Sequence, residues 1–192
     1  MSGFSGKPET DLALIASLAE PSWADNWNFR AYLQQEVDRS RLDDTARSLS
    51  RDVATKIDCL ECGNCCRMIQ PYLTAEDILR LQAGLGANGA AIRERLIDAG
   101  DGLMVFRDRP CALLDGNKCI AYEHRPDDCR GYPHLDKPDF LGGTIGFIEN
   151  YGTCPIVFNT LNHLKTLFAY DPVKDYIGDS DPEATHGSSL GE

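Results

Sequence analysis

The stretch "CLECGNCC", which starts at Cys59, places four cysteines within eight positions, two of them adjacent. Four more follow at Cys111, Cys119, Cys129 and Cys154. So dense a pattern reads either as a disulfide framework or as a set of metal-thiolate ligands, and the redox compartment decides between them. The only apolar stretch near the N-terminus, "DLALIASLAEPSW", is short, and Lys7 before it is offset by Glu9 and Asp11. A secretory leader needs a basic start, so a cytoplasmic location with reduced thiols is expected. At 192 residues the chain is also too long to need disulfide staples. Both points favour metal or redox chemistry.

The spacing sharpens this. Cys59, Cys62 and Cys65 form C-x2-C-x2-C, in which each turn aims two sulfurs at one ion and Gly63 lets the backbone turn tightly. Adjacent side chains such as Cys65 and Cys66 diverge along an extended chain, which suggests two sites with the pair divided between them. One partition joins Cys59, Cys62 and Cys65 to the remote Cys154-Pro155, a ferredoxin-like spacing suited to a four-iron cluster. Cys66, Cys111, Cys119 and Cys129 then form a zinc or iron site. Bridging sulfurs in one multinuclear centre satisfy the valence count equally well, and one or two of the eight thiols can be buried fillers. All-cysteine sites carry net negative charge, so Arg67, Arg125 and Arg130 are candidate cofactor-supporting cations. The alternative for these arginines is surface pairing with Glu123, Asp127 and Asp128. His124 and His134 flank Cys129 and are expected in roles other than ligation, and His163 and His186 carry no assigned function.

The remaining sequence sets the frame. With 30 acidic and 19 basic side chains, a formal charge of -11 argues against a nucleic-acid surface. No apolar run approaches a membrane span. From residue 26 to 56 apolar residues recur at helical spacing (Phe29, Leu33, Val37, then Leu42, Ala46, Leu49, Val53, Ile57), predicting a helical hairpin or broken helix, with Trp23 and Trp27 as core anchors. Arg39, Arg41, Asp43 and Asp44 read as a solvated face. Thr74 and Asp77 form a capping box for a helix, and a second short helix is expected from Ala90 to Asp98. "LMVF" at 103–106 and "TIGFIEN" at 144–150 read as strands, with little regular structure elsewhere in 107–153. Pro155 opens a final helix whose apolar face is Ile156, Leu161, Leu164 and Phe168. The fold class is α+β, mainly helical: a small single domain with short strands and irregular loops organised by metal. Its expected divisions are an N-terminal arm (1–25), a helical segment (26–56), a cysteine-cluster metal-binding domain (57–170) and a disordered tail (171–192).

Three stretches together, "CLECGNCC", "RPCALLDGNKCIAYEHRPDDCRGYP" and "GTCP", resemble the YkgJ-like cysteine-cluster family, whose domain is named for the CxxCxxCC motif and described as zinc- or iron-chelating. The resemblance covers about residues 57–157. It implies that Cys59, Cys62, Cys65, Cys66, Cys111, Cys119, Cys129 and Cys154 match the family's metal-binding cysteines. Members have been labelled iron–sulfur oxidoreductases, and some flagellin lysine methylases share the domain. Three functions are therefore weighed. The first is an iron–sulfur or zinc protein with a redox or electron-transfer role and a protein partner. The second is a zinc-stabilised interaction module. The third is a metalloenzyme with an open metal position. No membrane or nucleic-acid partner is expected.

Overall fold

A computed structural model describes residues 3–176. In chain order its helices are α1 (Leu12–Ala19), α2 (Trp23–Glu36), α3 (Arg39–Ala54), α4 (Cys59–Cys62), α5 (Asn64–Met68), α6 (Ala75–Leu85), α7 (Asp127–Gly131), α8 (Phe140–Glu149) and α9 (Pro155–Leu167). Two antiparallel hairpins complete the regular structure, β1 (Leu96–Gly100) with β2 (Leu103–Phe106) and β3 (Leu114–Asp115) with β4 (Lys118–Cys119). This is the mainly helical α+β class expected from the sequence. The chain divides into two compact units, one built from residues up to 57 and from 134 onward, the other from 58 to 133.

The first unit is helical. Asp11 starts α1 by accepting hydrogen bonds from the amides of Ala13 and Leu14. The chain breaks at Val37 and Asp38, where Asp38 caps α3 by accepting from the Arg41 amide. The expected interruption of the helical segment is therefore present. Leu42, Ala46, Leu49 and Val53 line the buried face of α3, which packs against α9 and α8. On α2, Phe29 and Leu33 are buried and Val37 lies just past the helix end. Trp27 is buried and meets Trp23 edge to face, with ring centroids 6.1 Å apart. Pro155 occupies the first turn of α9, and all four residues of its predicted apolar face are buried. Lys165 of α9 is largely withdrawn from water and pairs with Asp25 and with Asn26 Oδ1 (2.7 Å).

One expectation in this unit fails. "TIGFIEN" lies in α8 rather than in a strand. Its alternation is local, whereas Phe140, Leu141, Thr144, Phe147 and Ile148 are buried together at helical spacing, with the Phe140 and Phe147 rings 5.0 Å apart. The helix start is held from a distance. The Asp43 carboxylate accepts the amides of Asp139 (3.0 Å) and Phe140 (2.9 Å), so this residue is a cap and not merely part of a solvated face.

The second unit has its own apolar cluster of Leu73, Ile78, Leu81, Ile92, Leu96 and Phe106, completed by Leu113 and Ala121. The predicted capping box on α6 is formed in both directions between Thr74 and Asp77. The predicted strand at 103–106 is β2, and its partner is a correction. The expected helix from Ala90 to Asp98 is a 3-10 turn only as far as Arg95, after which Leu96 to Gly100 pair with β2. Cross-strand burial of Leu96 opposite Phe106 overrides the weak helical spacing. Leu73 adds a bridge to Met104 on the other side of β2. Residues 107–153, expected to be irregular, contain β3, β4, α7 and α8. The expected disordered tail lies outside the described residues from 177 on.

Replacing Asp43 with alanine removes both acceptors at the start of α8. The expected loss is about 1 kcal/mol of stability, read from the urea or thermal unfolding midpoint. Asp43→Asn, which keeps an acceptor, should lose less.

Candidate metal centre

Seven of the eight cysteines belong to the unit 58–133; Cys154 belongs to the other, buried at the N-terminus of α9. All eight are free of disulfides. The cysteine-rich loop is built from two single-turn helices. Asp58 starts α4 by accepting the Leu60 amide (2.8 Å), and Gly63 ends it in the left-handed region at φ 59°. The next turn, α5, carries Cys65, Cys66 and Arg67. Gly63 is required twice over, since a Cβ there would meet the Asn117 carbonyl oxygen at 2.6 Å.

That contact shows how the loop is held to the β3–β4 hairpin. The Asn117 side-chain amide donates to the Glu61 carbonyl (2.8 Å). Arg67 donates to the carbonyls of Cys62 (3.1 Å) and Gly116 (3.0 Å), and to the Asn117 side-chain oxygen. The hairpin in turn presents Cys119, paired across the ladder with Leu114. Cys111 lies just before it and donates its backbone amide to the Cys66 carbonyl (2.8 Å). Both Cys111 and Cys119 pack against the apolar cluster of this unit. Little regular structure was expected from the sequence here; the Gly116-Asn117 pair that forms the two-residue loop is the signal that could have shown the hairpin.

Cys129 reaches the same neighbourhood on α7, and a buried carboxylate holds it there. Asp77, 2% exposed, accepts the backbone amide of Asp127 (3.0 Å) in addition to its capping bonds with Thr74. Arg80 bridges Asp77 and the Asp127 carboxylate (2.7 Å to the latter) and donates to the Arg125 carbonyl (3.3 Å). On the other side, Asp128 accepts the Tyr72 amide (3.1 Å). Sequence reasoning found Asp77 as a cap but not as the anchor of the Cys129 turn, because its second partner lies fifty residues away.

The thiols act on one another. Burial, then the charges of Cys111, Cys66, Asp128 and Cys119, push the Cys129 thiol up to about 12. Burial, with Cys66 and Cys119 adding to it, pushes Cys111 up to about 11. Cys119 is raised by burial and by Cys66, against the opposing pull of the Ala121 amide and Arg125. Cys59 is raised by burial, Cys62, Asp58 and Cys66, and drawn down by Arg125. Cys66 moves the other way, to about 7, because the Cys65 thiol hydrogen-bonds to it and Arg67 lies close. Buried thiols that raise one another are relieved by a cation that all can share. Soft thiolates are the donors that zinc and iron–sulfur centres use. Among the described residues no three His, Cys, Asp or Glu side chains are grouped so as to hold a metal ion.

Of the expected supporting arginines, Arg67 and Arg125 lie within electrostatic reach of thiols. Arg125 stacks on the Tyr122 ring at 3.8 Å. Arg130 instead donates to the carbonyls of Arg125 (3.0 Å) and Glu123 (2.6 Å) and pairs loosely with the exposed Asp127. His124 lies over Gly84 of α6, where any Cβ would collide with its ring. His134 belongs to the other unit, as does His163, whose ring meets Phe4 at 5.3 Å. His186 lies outside the described residues.

Residues 58–154 match the family model CxxCxxCC, described as "Putative zinc- or iron-chelating domain". The match starts at the boundary of the second unit and ends on Cys154. No curated protein and no solved structure matches the chain. No helix among the described residues is long and apolar enough to cross a membrane.

Burial alone would raise the Asp77 carboxyl, but hydrogen bonds from Thr74 and Asp127 together with Arg80 hold it below its ordinary value of 3.8. Its stabilising contribution is therefore complete above about pH 4 and is lost as pH falls through the lower folded value. Asp77→Asn should cost about 2 kcal/mol at pH 7. The gap between variant and wild-type urea midpoints should narrow on going to pH 3. Gly84→Ala should cost about 1–3 kcal/mol by forcing His124 off α6, checked by the same midpoints.

Proposed function

Because the chain belongs to the CxxCxxCC family of zinc- or iron-chelating domains, we propose that its cysteine-rich unit is a thiolate metal centre that exchanges electrons with a partner protein. The observation that supports this reading is the tie between the segments that carry Cys66 and Cys111, whose backbones are joined by a 2.8 Å hydrogen bond, with Cys111 and Cys119 packed against one apolar cluster. Cys66, Cys111, Cys119 and Cys129 would hold one metal ion. Cys59, Cys62 and Cys65 would serve a second, on a loop that Gly63, Arg67 and Asn117 fix in place. Cys154, on which the family match ends, belongs to the other unit.

Iron bound here supplies a reversible one-electron couple. The chain's own contribution is to lower the cost of gathering negative charge. Arg67 and Arg125 place cations beside Cys66, Cys59 and Cys119. The Leu113 and Ala121 amides hydrogen-bond to the sulfurs of Cys111 and Cys119. Cys59 is exposed, which gives the centre an edge that a redox partner can approach. Protons held on Cys111 and Cys129 must leave as the thiolates form, so uptake should strengthen with rising pH.

A second reading, a zinc-stabilised interaction module, is favoured by the packing of Cys111 and Cys119 against the apolar cluster. Metal at that point contributes folding free energy, on the order of 10 kcal/mol for a structural zinc. Protein purified without oxygen should be brown and contain iron and sulfide in whole-number ratio to chain. A colourless product with zinc alone would reject electron transfer and leave the module. In that case chelation should unfold residues 58–133, followed by circular dichroism and protease cleavage.

A further inference from the structure

Residues 3–19 lie outside the family match, and the helical unit grips them through their backbone. Asn159 of α9, 8% exposed, accepts the Glu9 amide (2.9 Å) and donates to the Glu9 carbonyl (2.9 Å). Its side-chain amide thus pairs with residue 9 as the backbone of a neighbouring strand would. The same nitrogen donates to the Pro155 carbonyl (2.7 Å). Lys56, just beyond α3, donates to the carbonyls of Phe4 (2.8 Å) and Gly6 (3.1 Å) and lies 4.8 Å from the Phe4 ring. That ring also meets His163 of α9. Between these two grips Pro8 is buried. The Glu9 carboxylate accepts the amides of Thr10 and Asp11 (2.8 Å each), which couples this strap directly to α1.

Helix α1 continues over the same stretch of chain. Ile15 is fully buried, and Ala19 packs on Gly152, where a Cβ would meet the Ala19 Cβ at 2.6 Å. The segment therefore meets residues on either side of Cys154. Gly152 precedes that cysteine, and Asn159, bonded to the Pro155 carbonyl, follows it. Cys154 itself is 6% exposed. We propose that residues 3–19 are a cover over the Cys154 turn, a strap and helix that open together and thereby control access to that thiol.

The manner of attachment makes this cover the part of the helical unit that opens first. Ile15 is the only buried residue of α1, and Leu14 and Leu18 are exposed. The Lys56 bonds are exposed, so water replaces them at little cost. A segment with few buried apolar contacts opens at lower free energy than the core it lies on. That core, by contrast, buries Leu42, Ala46, Leu49 and Val53 where α3 packs on α8 and α9.

The test follows alkylation of Cys154 by iodoacetamide in the full chain, read by mass spectrometry, both as purified and after chelation of bound metal. In wild type Cys154 should react far more slowly than the exposed Cys59 after chelation. Glu9→Pro removes the amide that Asn159 accepts, and Gly152→Ala pushes α1 away from the other end. Each should raise the Cys154 rate by about tenfold or more. Asp43→Ala weakens the same unit away from the cover and should leave that rate unchanged. Independently of any variant's folding, wild-type alkylation of Cys154 should depend on urea much more weakly than global unfolding does. Unchanged rates in Glu9→Pro and Gly152→Ala would overturn the cover. So would an equal rise in Asp43→Ala, or a urea dependence matching that of global unfolding, since either means that the whole unit opens. Protection of Cys154 that vanishes on chelation would overturn it too, because metal and not the cover would then be the shield.

Discussion

Sulfur is comfortable inside a protein as a neutral thiol and outside it as a thiolate; it becomes costly when several half-buried thiols must ionise beside one another. The unit 58–133 is organised around that constraint. Its thiols arrive on four devices: two single-turn helices joined at Gly63, a short hairpin, and the turn that carries Cys129. None of these is stable alone in water, since helices this short are below the length at which propagation repays nucleation. They are held instead by side-chain bonds to backbone: Arg67 and Asn117 at the loop, Asp77 and Arg80 at the Cys129 turn. The polar scaffold thus fixes the short elements that carry the cysteines.

This division of labour explains why Asp77 is so well satisfied. It makes bonds to Thr74, Asp127 and Arg80 while 2% exposed. A buried carboxylate with an unfilled partner would be a liability, but here each oxygen is used. The same carboxylate starts α6 and positions α7, so the helix that packs on the apolar cluster and the turn that carries Cys129 share one anchor.

Long helices were legible in the sequence because their signals are local and periodic. The Thr74–Asp77 capping box and the Pro155 start followed from residues within a turn of each other, and an interruption within 26–56 was expected without its position at Val37–Asp38. Errors arose where a distant partner decides. "TIGFIEN" is helical because Asp43 caps it from nearly a hundred residues away and its glycines conceal the buried stripe. Leu96–Asp98 is extended because β2 supplies a ladder. The centre followed the same rule. Cysteine identity and spacing pointed to metal, and the zinc- or iron-chelating family bears that out. The tie between the segments that carry Cys66 and Cys111 depends on long-range approach, which spacing alone does not encode. The mutual divergence argued for Cys65 and Cys66 is countered by the hydrogen bond between their thiols.

The cysteine-rich unit is one unbroken run of chain, whereas the helical unit needs residues on both sides of it. A ribosome therefore delivers 58–133 whole while α8 and α9, against which α3 packs, are still unsynthesised. Seven thiols can meet cellular metal before their host helices have closed, and the nascent helical half must wait exposed until translation passes Leu167. The order of synthesis thus lets the cysteine-rich unit gather its contacts before the helical one can complete its own.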